Sequence, residues 1–166
     1  MILDTSAFIA GFDPFSVTEE QYTVPAVREE IAGNSMTWIR IKTAIDSGRL
    51  RIKMPKSVFV DEAKALATTV GDSYFLSDTD LQVLALALQF KKQGCLPLLA
   101  TDDYSIQNVA EYLGIEFTSL ATFGIRVPLK WVRYCPACHR KYRSNYKFKS
   151  CKICGTELKR KPSRKM

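Results

Sequence analysis

The sequence holds a single histidine, His139, and it falls in the last quarter of the 166 residues. Whatever chemistry residues 1–125 carry out therefore proceeds without an imidazole as base or ligand. No run of 18 apolar residues occurs, so no segment is suited to cross a membrane as a helix. The opening MILDTSAF places an acid, Asp4, where a secretory leader would place basic residues, so no leader is expected and the protein is assigned to the cytoplasm. Internal repeats and low-complexity segments are also missing. Acids are nearly absent from the C-terminal part. Residues 126–166 hold 14 Lys/Arg against 1 Asp/Glu, net +13, whereas residues 1–125 hold 10 against 16, net −6, which together give +7. An acidic part joined to a strongly basic one implies a polyanionic partner for the latter.

What is present suits one sizeable core plus an appendage. Strands are expected at residues 1–3, 50–54, 96–100 and 115–117. Helices are expected from Pro25 to Gly33 with Thr23 as cap, and over 36–47, 58–67, 77–93 and 104–113. Alternating strands and helices predict a parallel sheet covered on both faces. Ligands of such sheets collect at the carboxyl ends of the strands.

Carboxylates stand at several of those ends. Asp4 follows the first strand, and Asp102 and Asp103 follow the strand through Leu98 and Leu99. Asp80 lies in the first turn of the strongest helix, and Glu29 and Glu30 lie late in the first one. Each has a local explanation, since an acid in a first turn caps a helix or complements its dipole. If the first strand and the strand ending at Ala100 are neighbours, however, Asp4 and Asp102 emerge at one edge. At an effective dielectric near 20, two such charges about 5 Å apart repel by roughly 3 kcal/mol. Three or four need a cation or raised pKa values. An all-oxygen set suits Mg²⁺ or Mn²⁺, which polarises a phosphate and activates water.

The stretches MILDTSAFI, the acids of VPAVREE, SDTDLQVLALAL and LLATDDYSIQNVA, in this order, resemble a PIN-domain ribonuclease over residues 1–125. The resemblance implies a three-layer α/β/α domain with a central parallel sheet. It implies that Asp4, Glu30, Asp80 and a member of the Asp102–Asp103 pair are catalytic, with Asp4, Asp80 and Asp103 on one or two Mg²⁺ or Mn²⁺ ions. Glu30 is preferred to Glu29 because the family acid usually precedes an aliphatic residue, here Ile31. A Thr-x-Asp pattern favours Asp103, while a Thr-Asp-Asp sequence leaves Asp102 open. Thr5, Ser6 and Thr101 are placed to hydrogen-bond the carboxylates.

The basic part reads Cys135-x2-Cys138-x12-Cys151-x2-Cys154. Two such pairs with a short spacer predict a tetrahedral thiolate site for one structural Zn²⁺. CPACH also fits covalent haem attachment, but the second pair and the basic context point to zinc. The fifth cysteine, Cys95, is expected to be a small buried residue. Arg133, Arg140, Lys141, Tyr142, Arg143, Tyr146, Lys147, Lys149 and Lys152 are candidate RNA contacts, cations for phosphates and aromatic faces for unpaired bases. Among the aromatics, Phe148 is expected to face inward and Tyr142 or Tyr146 outward.

The expected organisation is a nuclease domain over 1–124, a linker over 125–132, a zinc ribbon over 133–157 and a disordered basic tail over 158–166. A PIN domain followed by a ribbon resembles the compact, archaeal-type NOB-one endonucleases. That resemblance implies metal-dependent cleavage of single-stranded precursor RNA at the 3′ end of small-subunit, 16S-type rRNA, with proteins of the immature small subunit as further partners. A different PIN-type ribonuclease, toxin-like or of RNA decay, and a non-catalytic RNA-binding adaptor are the alternatives.

Overall fold

The structure is a computed structural model that describes residues 1–33, 35–122, 124, 129–143 and 146–163. Its elements run β1 Ile2–Leu3, α1 Thr5–Ile9, β2 Gln21–Thr23, α2 Pro25–Ile31, α3 Ser35–Asp46, β3 Leu50–Ile52, α4 Ser57–Val70, α5 Asp78–Lys92, β4 Leu98–Ala100, α6 Tyr104–Leu113 and β5 Glu116–Thr118, followed by β6 Trp131–Tyr134, β7 Lys141–Tyr142 and β8 Lys159–Pro162. The first five strands form one sheet in the order β3-β2-β1-β4-β5, with every neighbouring pair parallel. Helices cover both faces, so the strands are apolar on both: Ile2, Leu3, Leu99 and Ala100 are buried. This is the expected three-layer α/β/α architecture.

Helix α5 is the inner helix. Leu81, Val83, Leu84, Ala85, Leu86, Ala87 and Leu88 are all buried, so it is enclosed on nearly every side beyond its first turn. Register places β1 beside β4, with Ile2 opposite Leu99 and Leu3 opposite Ala100. Asp4 and Thr101 therefore leave the sheet side by side.

The short elements α1 and β2 have no counterpart among the sequence expectations. Five residues without a capping side chain and a three-residue Gln-Tyr-Thr strand carry too little pattern to read. Thr23 does not cap α2: it belongs to β2, and its hydroxyl donates to the Leu3 carbonyl at 2.8 Å. Helix α2 instead starts on Pro25 without a side-chain cap. Cys95 is exposed, in the turn between α5 and β4, rather than buried.

A second sheet, in the order β7-β6-β8, is antiparallel. It corrects the expected tail. Residues 159–162 form β8, which pairs with β6 from Trp131 opposite Pro162 to Tyr134 opposite Lys159. Alternation along a strand sends successive side chains to opposite faces, which lets a lysine- and arginine-rich segment order itself: Lys161 sits over the Tyr134 ring at 4.6 Å, while Arg160 turns toward the first domain. Residues 164–166 of the expected tail and 125–128 of the expected linker lie outside the described residues. Among those described, no helix is long and apolar enough to cross a membrane.

Candidate active site and metal centre

Asp4 sits where β1 ends and is 3 % exposed. Its Oδ2 accepts from the Ser6 hydroxyl at 2.7 Å and from the Thr101 hydroxyl at 2.8 Å. Each hydroxyl oxygen in turn accepts a backbone amide, Ser6 from Asp102 at 2.9 Å and Thr101 from Asp103 at 3.1 Å. The two hydroxyl oxygens are 3.2 Å apart, a contact rather than a bond, because both protons go to Asp4. The network joins the ends of β1 and β4 and fixes the carboxylate between them. Burial raises the Asp4 pKa despite these bonds, so the anion is held in a place that penalises its charge.

Asp80 is brought to the same edge by α5. It closes a capping box: its Oδ2 accepts the Ser77 amide at 2.7 Å, and its own amide donates to the Ser77 hydroxyl at 3.2 Å. Its pKa is pushed up to about 6, first by burial and then by the charges of Asp4 and Asp103. Those two charges act on Asp80 because the three acids share a neighbourhood. Asp103 is the N-cap of α6, its Oδ1 accepting the amides of Ser105 at 2.6 Å and Ile106 at 3.4 Å. Glu30, on α2, accepts the Thr5 hydroxyl at 2.5 Å, one residue from Asp4.

Asp102 points elsewhere. Its Oδ1 accepts the amides of Leu120, Ala121 and Thr122 at 3.0, 3.1 and 3.0 Å and the Thr122 hydroxyl at 3.1 Å. Desolvation pushes its pKa up, but the three amides and the hydroxyl outweigh it and hold the carboxyl below its usual range. Of the adjacent pair, Asp103 shares the field of Asp80 and Asp102 ties down a loop.

Among the described residues, the carboxylates do not gather three oxygens within 4.8 Å of one another, whereas the cysteines do so with four sulfurs. A looser acidic set still fits Mg²⁺ or Mn²⁺. Mg²⁺ keeps several waters and takes only one or two direct carboxylates, and an oxygen-only donor set with a buried anion suits such hard cations.

The ligand atoms of Cys135, Cys138, Cys151 and Cys154 form a compact quartet, with Cys135 and Cys151 buried and Cys138 and Cys154 exposed. Sulfur separations of 3.4 Å for Cys135–Cys154 and 3.5 Å for Cys138–Cys151 are close to the edge of a tetrahedron of about 2.3 Å metal–sulfur bonds. Each pair forms a turn whose amides point at sulfur: Cys138 N–H to Cys135 Sγ at 3.4 Å and Ile153 N–H to Cys151 Sγ at 3.5 Å. The residue after each pair has positive φ. Gly155 adopts 72° without strain, and His139 adopts 59° although it carries a Cβ. The Cys151 thiol is pulled down to about 6, chiefly by the Tyr142 hydroxyl. Cys138 is pushed up to about 11; the Arg140 amide lowers it, but desolvation and the three other sulfurs outweigh that. A metal bound here displaces such protons.

The ribbon revises three sequence expectations. Tyr142 is 8 % exposed, with its hydroxyl 3.0 Å from Cys151 Sγ, so it covers the metal site. Phe148 is 65 % exposed and faces outward. Tyr142 turns inward because its hydroxyl meets the Cys151 sulfur and accepts the Lys152 amide at 3.2 Å, which the Phe148 ring cannot do. Arg133 is no free cation: its Nη1 donates to the carbonyls of Tyr146 at 3.1 Å and Phe148 at 3.0 Å. Arg140, Lys141, Arg143, Lys147 and Lys152 do line one open groove of about 600 Å³ with Tyr142, Tyr146 and Phe148. Lys149 is exposed beside it.

Two outcomes follow from these geometries. Asp80 titrates at about 6 folded and 3.8 in the reference state, so its contribution to stability is complete below about 3.8 and is lost as pH rises through about 6. Urea midpoints of protein with its cysteine quartet loaded and no added Mg²⁺ or Mn²⁺ are expected to fall across that window. Asp80→Asn is expected to make the fall shallower; an identical slope would remove Asp80 from the shared field. Stripping metal from the cysteine quartet with a chelator is expected to collapse the amide NMR signals of the three-stranded sheet while those of the five-stranded sheet persist.

Residues 1–90 match the family described as the PIN domain of ribonuclease. Over 163 residues the chain is 39 % identical to the endoribonuclease Nob1 of Methanothermobacter thermautotrophicus, covering 98 % of this chain and 93 % of the relative. Over 160 residues it is 38 % identical to the endoribonuclease Nob1 of Methanocaldococcus jannaschii, covering 96 % and 76 %. A shorter match, 37 % identical and covering 67 % of this chain, is to the ribonuclease VapC1 of Thermoplasma acidophilum. The Nob1 matches span acid cluster and cysteine quartet together, and the chain belongs to the Nob1 family of endoribonucleases.

Proposed function

We propose that this chain is a divalent-metal-dependent endoribonuclease that cuts single-stranded precursor at the 3′ end of small-subunit, 16S-type rRNA in the cytoplasm, on an immature subunit whose proteins are its further partners. The buried Asp4 carboxylate, tied through the Thr101 hydroxyl to the Asp103 backbone at the edge where α5 brings Asp80, is the observation that carries the catalytic part. Asp4, Asp80 and Asp103 would hold one or two Mg²⁺ or Mn²⁺ ions, with Glu30 alongside. A divalent ion there supplies Lewis-acid polarisation of the phosphate and a lowered pKa for water. The chain's own part is orientation. Ser6 and Thr101 keep Asp4 aimed while leaving its Oδ1 unclaimed by them, and the capping box does the same for the second oxygen of Asp80. Thr5 restrains Glu30 at the rim.

The second half of the reading is that the ribbon grips RNA through the groove, its one zinc ion being structural. Five cations around the exposed Phe148 ring offer phosphate contacts and a stacking face. All four acid positions are filled, which speaks against a non-catalytic adaptor. The ribbon has no evident use in a toxin-like nuclease acting alone.

Asp4→Asn is expected to abolish cleavage of a precursor spanning the rRNA 3′ end, by more than the roughly 10–100-fold typical of residues that only support a ligand, with RNA affinity unchanged. The assay compares Mg²⁺, Mn²⁺ and chelator; undiminished cutting by the variant would take Asp4 out of the mechanism. Replacing Arg140, Lys141 and Arg143 by Ala is expected to weaken RNA binding and lower the slope of log affinity against log salt by about 2, near 0.7 per lost single-strand phosphate contact. An unaltered slope would move the RNA contacts off this groove.

A further inference from the structure

Asp72 is a buried carboxylate that the chemistry above does not use. It lies in the turn between α4 and α5 and is 1 % exposed. An ionised carboxylate so enclosed is costly unless paired and hydrogen-bonded. Its partners come from both domains. Oδ1 accepts Arg160 Nη1 of β8 at 3.1 Å, and Oδ2 accepts Asn108 Nδ2 of α6 at 2.5 Å. The Arg160 guanidinium is 3.5 Å from the Phe75 ring centre and 4.2 Å from that of Trp131, one ring from each side of the junction.

Further bonds run across the same seam. The Asn108 amide group pairs with the backbone of Leu129, donating to its carbonyl at 2.7 Å and accepting its N–H at 2.6 Å. Gly71, at φ +91°, lies against β6 so closely that an added Cβ would stand 2.8 Å from the Trp131 carbonyl oxygen. The Tyr74 hydroxyl donates to the Tyr146 carbonyl at 3.1 Å, and Arg133 lies 3.9 Å over the Tyr74 ring. A cavity of about 240 Å³ remains in the seam. The Asp72 and Asn108 groups beside it are already bonded to one another and across the junction, so it reads as part of the joint and not as a ligand site.

The seat and the acids share elements. The turn holding Gly71, Asp72, Tyr74 and Phe75 runs directly into Ser77 and Asp80, and Asn108 stands on the helix that Asp103 caps. Asp103 is near enough to add to the raised pKa of Asp72. We propose that Arg160 and Asp72 are positioning residues, which fix the ribbon at one orientation so that the distance from its RNA groove to the acid cluster selects which phosphate is cut. This rests on the reading of the groove as the RNA grip. The joint acts as a ruler: the ribbon's contact sets one end and the acids the other. Misplacement by about 1 Å is enough to cost on the order of 100-fold in rate.

The test uses the full, zinc-loaded chain and the double variant Asp72→Asn/Arg160→Ala, which removes both charges and leaves no lone buried carboxylate. Arg160→Lys tests whether a cation without the planar stack restores the wild-type pattern. Substrates are a precursor long enough to span groove and acids, and an oligonucleotide too short to reach both. The double variant is expected to cut the long RNA about 10–100-fold less efficiently in kcat/KM and at several neighbouring phosphates. It should bind that RNA as wild type does and cut the short one as wild type does. In ¹⁵N relaxation the two wild-type domains are expected to share one rotational correlation time and the variant's to separate. Single-site cutting by the variant at the wild-type rate, or wild-type domains that already tumble apart, would overturn the proposal. Failure of the wild type to cut either RNA in Mg²⁺ or Mn²⁺ would instead sink the nuclease reading on which it rests. If the double variant loses its zinc, Tyr74→Phe, which removes only the bond to Tyr146, is held to the same cut-site criterion.

Discussion

A carboxylate buried at the carboxyl end of β1 is the constraint around which the rest is arranged. Burial disfavours charge on Asp4, and the hydroxyls of Ser6 in α1 and Thr101 just after β4 hold its carboxyl in one direction. That arrangement needs β1 beside β4, and the parallel pairing of those strands needs helices on both faces to bury them. Asp80 and Asp103 then approach an anion that can neither rotate away nor be solvated. Charges on these acids would repel one another, and a bound hard cation would relieve that repulsion.

The same acids also do ordinary structural work, and the two functions do not compete. Asp80 completes a capping box with one oxygen, and Asp103 caps α6 with one of its own. A helix start provides amides that fix a carboxylate in direction without neutralising it, which would suit the metal-holding role proposed for these acids. Reading these residues as caps or as ligands was therefore never an exclusive choice. Asp102 shows the contrast, since three amides and a hydroxyl converge on one of its oxygens.

Much of this was legible in the residues. Helix α6 was readable to its ends because Asp103 and Gly114 mark them, and α5 because its apolar spacing is long and its cap explicit. The cysteine quartet was legible from spacing alone. What escaped was set by contacts between distant residues. Thr23 resembles a cap, but its hydroxyl crosses to Leu3. Tyr142 and Phe148 are both aromatic, and only the position of Cys151 decides which turns inward. Residues 159–162 resemble a solvated basic tail until Trp131–Tyr134 supplies a partner strand and Asp72 a countercharge. No local pattern reports a residue whose partner is 88 positions away.

The loop tie made by Asp102 has a consequence for the freedom of the C-terminal module. Residues 120–122 are pinned by Asp102, and Leu129 is pinned by Asn108. Seven Cα–Cα steps separate residue 122 from residue 129, and seven steps reach no more than about 25 Å. A module that lifted off would stay on so short a leash that its local concentration beside its seat remained in the millimolar range. Its return would be a first-order event, insensitive to dilution of the protein and too quick for a second molecule to take its place.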